Sequence, residues 1–204
     1  MGRPAGAVTC PILATARRLD PAPSQPPYRL AERNGWGCGR MTTLTGAFGT
    51  GLTTPVWVLQ HLLGILGIGM WAGQAGGTAV WQVPAAAVTA ALAAGFAAQM
   101  GLRLPYAGPG LAASLIVVGS LVALGVRAPA VLAVLVAAVA ALFHGHAHQG
   151  PPLYWAGFAA GLMLVACGGL GLSIAVTQAE SERAARLCGG AVAVAGVLDL
   201  VGVI

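Results

Sequence analysis

A long uncharged segment limits what this chain can fold into more than any other feature. Residues 41–102 contain no Asp, Glu, Lys or Arg and are rich in Gly, Ala, Leu and Val. A helix needs about 20 apolar residues to cross the hydrocarbon core of a bilayer. The segment is therefore long enough for two crossings, and the sequence that follows it is similarly apolar. This pattern predicts a polytopic integral membrane protein, with the lipid bilayer as its main surroundings.

The composition excludes the common soluble classes. Charged residues make up 7% of the 204 residues and hydrophobic residues 57%, whereas soluble domains are about 25% charged. A cytosolic enzyme or a disordered chain requires more charge than this. The net charge of +5 does not indicate nucleic-acid binding, because most of the ten basic residues lie within residues 1–40.

Residues 1–40 differ in character from the rest of the chain. They combine several prolines and arginines with acidic residues, and they contain no apolar run long enough for a signal peptide. We predict a disordered, polar tail over residues 1–40 and a transmembrane domain over residues 41–204. Since the apolar region begins abruptly at Met41, translation from Met41 is an alternative to translation from Met1.

Turn signals divide the transmembrane domain into helices. Glycine, proline and charged residues cluster near residues 74–77, 102–110, 127–129, 150–152 and 178–186. The predicted helices span about 54–71, 78–100, 111–125, 130–148, 153–176 and 187–204. The predicted fold class is thus an all-α membrane bundle of six transmembrane helices. Two GxxxG pairs, Gly69–Gly73 and Gly157–Gly161, predict close helix packing.

The distribution of arginines gives two opposite topologies. With six spans, both termini lie on one side, and Arg127, Arg183 and Arg186 lie on the other. Cytoplasmic loops are enriched in basic residues, so these three place the Arg127 side in the cytoplasm. Arg33 and Arg40 in the tail argue for the reverse. We favour the first arrangement, with the N-terminus outside.

All four histidines lie in the predicted membrane region. His144 and His148 are four residues apart and share one helix face, whereas His146 points roughly the other way. His61 lies about two turns inside the first predicted helix. Imidazole binds Ni, Co, Zn and Cu, and polar groups at membrane depth are costly and tend to be functional. The four predict a metal site, although a single histidine near a helix end is often only interfacial.

Three other polar residues are secondary candidates for this site. Alternating helix directions place His61, the histidine run and Asp199 in the same half of the bilayer. Gln60 and Gln149 could supply weak oxygen ligands or satisfy neighbouring groups, and Asp199 could lie simply at the interface. No nucleophile elbow, P-loop or pair of membrane carboxylates is recognisable, so we predict that the protein is not an enzyme.

Three motifs of this chain are similar to those of a known protein family. Residues 143–148 read FHGHAH and match the family pattern FHGxAH. Residues 54–63 (TPVWVLQHLL) and 69–74 (GMWAGQ) are similar to the family's first helix, HPLxGxDHLLA…GLWAxQ. Residues 104–119, which begin with Leu-Pro and contain Ser114, take the place of the family's LP…E…S…LG segment. The chain thus resembles the HupE/UreJ family of small bacterial membrane proteins, and the resemblance covers about residues 51–204.

The resemblance implies a function in nickel or cobalt handling. It implies a permease for Ni²⁺ or Co²⁺ in the bacterial inner membrane, or an accessory protein that serves urease or hydrogenase maturation proteins. The ion would be transported or transiently bound, with no tightly bound cofactor. His61, His144 and His148 fall on motif positions, and His146 falls on the variable position.

Several family positions are changed in this chain. Thr54 replaces the first family histidine, Gln60 replaces an aspartate, Gln149 replaces a glycine, and Gly108 stands at an acidic position. The loss of carboxylates should weaken the binding of a divalent ion. A second hypothesis is therefore a membrane scaffold or accessory protein that has lost the ion path. A membrane enzyme with a histidine-bound metal is the least supported alternative.

Overall fold

The described part of the chain is entirely helical. A computed structural model describes residues 44–179 and 181–203, and these contain seven helices and no β-strand. The helices are α1 (Leu44–Trp57), α2 (Leu59–Ala75), α3 (Ala79–Gln99), α4 (Ala107–Ala123), α5 (Ala130–His146), α6 (Pro152–Gln178) and α7 (Glu182–Leu200). The predicted tail, residues 1–40, and the alternative start at Met41 lie outside the described residues.

The prediction of one continuous helix over residues 54–71 is wrong. The chain forms α1 and α2 there, and their axes are bent by 78° at the break. Val58 lies at the break with extended backbone angles, φ −94° and ψ 105°. Pro55, inside α1, has no amide hydrogen for the carbonyl of Gly51. The Thr54 hydroxyl donates to the Thr50 carbonyl at 2.6 Å, a local bond that also favours helix bending.

The other five predicted helices correspond to α3–α7, with ends that differ by up to five residues. Among the described residues, α3 and α6 are each long and apolar enough to cross a membrane, and the bent pair α1–α2 would make a third span. Helices α4 and α5 are apolar but have only 17 residues each. The all-α prediction is confirmed, while the number of six spans stays a prediction.

Small residues allow the helices to pack closely. A Cβ atom on Gly69 would collide with the Ala166 carbonyl on α6, and one on Gly157 would collide with the Phe48 carbonyl on α1. Gly145 on α5 packs in the same way against the backbone of α3. Close approach of this kind is typical of helices that associate in lipid, and it agrees with the packing predicted from the GxxxG pairs.

Helix α2 lies at the centre of the described bundle. It contacts all six other described helices, and Ile65, Ile68, Met70 and Trp71 on it are almost completely buried. The Trp71 indole donates a hydrogen bond to the Val126 carbonyl at 2.8 Å, which ties α2 to the loop between α4 and α5. The two ends of α2 are therefore fixed by their neighbours, and each end carries a polar cluster.

Candidate metal site

His61 lies in the first turn of α2, directly after the break at Val58. Its side chain is buried, with 3% of its surface exposed. The ring meets the end of α5: its Nε2 atom is 2.6 Å from the carbonyl oxygen of His144 and 2.8 Å from Nε2 of His148. The break in the first predicted helix therefore lies only three residues before the histidine that joins α2 to α5.

His144 lies in the last turn of α5 and is completely buried. Its Nε2 atom is 3.1 Å from the hydroxyl oxygen of Ser114 on α4. Its ring packs against Gly64, one turn after His61, where a Cβ atom would lie 2.6 Å from Nε2. Three helices, α2, α4 and α5, thus hold this ring.

His148 follows α5 and completes a group of three imidazoles. The ring centroid of His61 lies 5.1 Å from that of His144 and 4.7 Å from that of His148. The ring of Phe158 on α6 lies 4.8 Å from His148. We call His61, His144 and His148 the histidine cluster. The structure brings together these three predicted residues, although His61 and His148 are 87 positions apart in the sequence.

The hydrogen-bond partners indicate the tautomers of two neutral rings. The Ser114 hydroxyl donates to the Leu111 carbonyl at 2.6 Å, so its oxygen accepts from Nε2–H of His144. A carbonyl only accepts, so Nε2–H of His61 donates to the His144 carbonyl. In both rings the remaining nitrogen, Nδ1, then carries a lone pair. Both Nδ1 atoms are buried and have no hydrogen-bond partner among the described residues.

This arrangement resembles the usual surroundings of a metal-binding histidine. Such a ring donates one N–H to a carbonyl or hydroxyl and presents its other nitrogen to the ion. Buried polar atoms without partners are rare in proteins, which makes the two Nδ1 atoms candidates for ligands. Within residues 44–179 and 181–203, however, no three His, Cys, Asp or Glu side chains are arranged to hold an ion as they stand. A site with three ligands would therefore require at least one side chain to rotate.

His148 is the histidine that would have to move. Its Nε2 atom lies 2.8 Å from that of His61, a hydrogen-bond separation. Because Nε2 of His61 carries the proton that its contact with the His144 carbonyl requires, the nitrogen of His61 that is free for an ion is Nδ1. His148 would have to leave its contact with Nε2 of His61 to join an ion there.

His146 lies apart from the histidine cluster. Its Nε2 atom accepts a hydrogen bond from the Leu104 amide at 3.0 Å, so this half-buried ring attaches the loop between α3 and α4 to α5. The helical spacing predicted that His146 would point away from His144, and the structure places it so. Its position favours a structural role over ligation.

The secondary candidates lie at different places. Gln60, beside His61, donates from Nε2 to Oδ1 of Asp199 on α7 at 3.3 Å, and both side chains are half-buried. Asp199 thereby brings a carboxylate to the residue next to the histidine cluster. Gln149 is exposed beyond the end of α5.

Sequence reasoning missed the roles of Gly64 and Ser114. A glycine in a chain with 31 of them carries no distinguishing signal. A serine in an apolar helix is a weak signal, because such hydroxyls commonly bond to their own helix backbone, as Ser114 also does. Both roles depend on contacts between helices.

Comparisons with known proteins agree with the sequence motifs. The family model described as HupE / UreJ protein matches residues 38–198. Protein HupE of Rhizobium leguminosarum bv. viciae is 37% identical over 159 residues, which cover 74% of this chain and 83% of that protein. No solved structure matches the chain. The matched range includes the whole histidine cluster and ends one residue before Asp199.

Proposed function

Because the chain belongs to the HupE/UreJ family, which comprises nickel and cobalt permeases and accessory proteins, we propose that it handles Ni²⁺ or Co²⁺ in the membrane. We place it as a multi-pass protein in the bacterial inner membrane. The ion is its substrate, bound transiently by the histidine cluster on its way through the bundle. Proteins that mature urease or hydrogenase are the partners we propose.

One observation carries this proposal. The buried imidazoles of His61 and His144 each donate one N–H to an acceptor on a neighbouring helix. The Nδ1 atom of each ring has no hydrogen-bond partner among the described residues. The acceptors are a backbone carbonyl and the Ser114 hydroxyl, so both rings are held before an ion arrives. A protein that only needed polar packing there would gain by pairing those nitrogens.

The charge of the site supports passage over storage. Neutral imidazoles leave the charge of a divalent ion uncompensated, and Asp199 approaches only through Gln60. Binding should therefore be weak enough for the ion to leave, as conduction requires.

Arg127 and Arg186 lie together at the other end of α2. Under the favoured topology that end is cytoplasmic, so the ion would meet the histidine cluster from the periplasmic side.

The test is metal binding by the purified full chain in detergent. We expect Ni²⁺ and Co²⁺ to bind in the micromolar range and binding to be lost in the double variant His144→Ala/His148→Ala. His146→Ala is the matched control, because it removes an imidazole from the same turn but outside the histidine cluster. Binding that survives the double variant would overturn the site, and unchanged nickel accumulation in cells with His144→Ala would overturn transport through it.

The second candidate is a membrane scaffold or accessory protein without an ion path. Two observations favour it: the family carboxylates are replaced at Gln60 and Gly108, and no three-ligand group is ready in the described residues. On this hypothesis the same double variant changes the protein level or the association with maturation proteins. The nickel content of the cells would then stay the same.

A further inference from the structure

A polar cavity lies at the end of α2 that is opposite to the histidine cluster. Its volume is about 340 Å³, and it lies between the ends of α2, α4 and α6 and the start of α7. Gln74, in the last turn of α2, lines it. Since His61 is in the first turn, about 20 Å of helix separates the two sites. The proposed metal function does not use this cavity.

Positive charge predominates among the described groups that line the cavity. Arg127, from the loop between α4 and α5, and Arg186, from α7, both line it. The one carboxylate among them, Glu182, lies 3.4 Å from a guanidinium nitrogen of Arg186. The cavity therefore attracts an anion, and two guanidinium groups match the oxygens of a phosphate particularly well.

Gln74 indicates that a ligand of this cavity also carries a hydrogen-bond donor. Its Nε2 atom donates a hydrogen bond to the Val122 carbonyl at 3.2 Å. Its Oε1 atom has less than 1 Å² of exposed surface and accepts no hydrogen bond from any described residue, so a ligand in the cavity reaches it only when the amide turns toward the cavity. A buried acceptor without a donor is unfavourable. A ligand that relieves it must donate a proton as well as carry negative charge.

We propose that this cavity binds a phosphate that carries a hydroxyl donor, with its anionic oxygens at Arg127 and Arg186 and its hydroxyl at Oε1 of Gln74. Basic pockets between transmembrane helices bind the headgroups of anionic lipids. A phosphatidylglycerol headgroup offers both groups, and so does free hydrogen phosphate. The lipid source rests on the membrane placement proposed above, but the site is independent of the metal.

The test is thermal unfolding of the full chain in a neutral detergent with one additive at a time. The additives are phosphatidylglycerol, phosphatidylcholine, phosphatidylmethanol, which lacks the headgroup hydroxyls, and inorganic phosphate. At about ten times its dissociation constant, phosphatidylglycerol should raise Tm by about 3–5 °C. Phosphatidylcholine should not raise Tm, and phosphatidylmethanol should raise it less than phosphatidylglycerol does.

Variants distinguish binding in this cavity from a general attraction of anions to surface arginines. Arg127→Gln/Arg186→Gln should abolish the rise in Tm, while Arg183→Gln should keep it, because Arg183 is a neighbouring arginine that does not line the cavity. In Gln74→Met the two anionic lipids should become equivalent. Ni²⁺ binding should persist in all of these variants, so a failure of the metal proposal is seen separately.

The results distinguish a lipid headgroup from free phosphate as the ligand, and two of them would overturn parts of the proposal. A rise with inorganic phosphate as large as that with phosphatidylglycerol supports the site and identifies free phosphate as its ligand. An equal rise in the wild type and in Arg127→Gln/Arg186→Gln overturns the site. Equal rises with the two anionic lipids in the wild type overturn the contact with Gln74.

Discussion

Replacing Gly64 with alanine should damage the histidine cluster without touching a histidine. The added Cβ atom would lie 2.6 Å from Nε2 of His144 and closer still to its Cε1 atom. Carbon and nitrogen atoms that are not bonded do not approach to this distance, so either the ring or the backbone must shift. His144 is completely buried, so a shift of its ring must break contacts with its neighbours.

The cost can be judged from the contacts that the shift would break. Overpacking of a filled core costs about 1–3 kcal/mol. Turning the ring away also breaks its hydrogen bond to Ser114, which adds about 1 kcal/mol. Alanine regains up to about 1 kcal/mol through its better helix propensity. We expect a net loss in unfolding free energy of about 1–3 kcal/mol and at least about tenfold weaker Ni²⁺ binding, which corresponds to 1.4 kcal/mol.

The assay is denaturant unfolding together with Ni²⁺ titration of the purified variants. Gly168→Ala is the matched control, because it makes the same change inside α6 where a Cβ atom would meet nothing within 4 Å. In a His144→Ala background, Gly64→Ala should become nearly neutral, since the clashing ring is gone. If Gly64→Ala behaves like Gly168→Ala in both measurements, the contact between Gly64 and His144 does not govern the site.

Three further predictions concern the same region. Ser114→Ala leaves the buried Nε2–H of His144 without an acceptor and should lower the unfolding free energy by about 1–3 kcal/mol; unchanged stability and unchanged Ni²⁺ affinity would contradict the tautomer we assign. Asp199→Asn keeps the hydrogen bond to Gln60 but removes its charge, so Ni²⁺ affinity should fall several-fold at low salt, and an unchanged affinity would exclude Asp199 from the site. Ni²⁺ binding should decrease in acid, because an imidazole must lose its proton to bind a metal, and binding that stays unchanged down to the lowest pH at which the protein remains folded would argue against histidine ligands.

Much of the architecture could be predicted from the sequence, because apolar runs separated by glycine, proline and arginine define helices directly. The break at Val58 could not, since it lies inside a continuous apolar segment. Proline is tolerated in membrane helices, so Pro55 alone did not predict that the helix would break at Val58.

The histidine cluster was partly predictable for a different reason. The spacing of His144 and His148 and the depth of His61 follow from helix geometry alone, and the structure places these residues together. The contribution of Ser114 required knowing that α4 packs beside the end of α5. Two residues thirty positions apart in the sequence meet there, and no local pattern encodes that contact.

The central position of α2 has a consequence for how the protein is made. Helix α2 is synthesised before α6 and α7, yet both of these helices are among its neighbours. The hydrogen bond between His61 and His144 alone spans 83 positions of the chain, and contacts of such separation form slowly. Until α6 has formed, Gly51 on α1 and Gly69 on α2 lack the backbone against which they pack, so the central helix cannot reach its final packing before most of the chain has been synthesised.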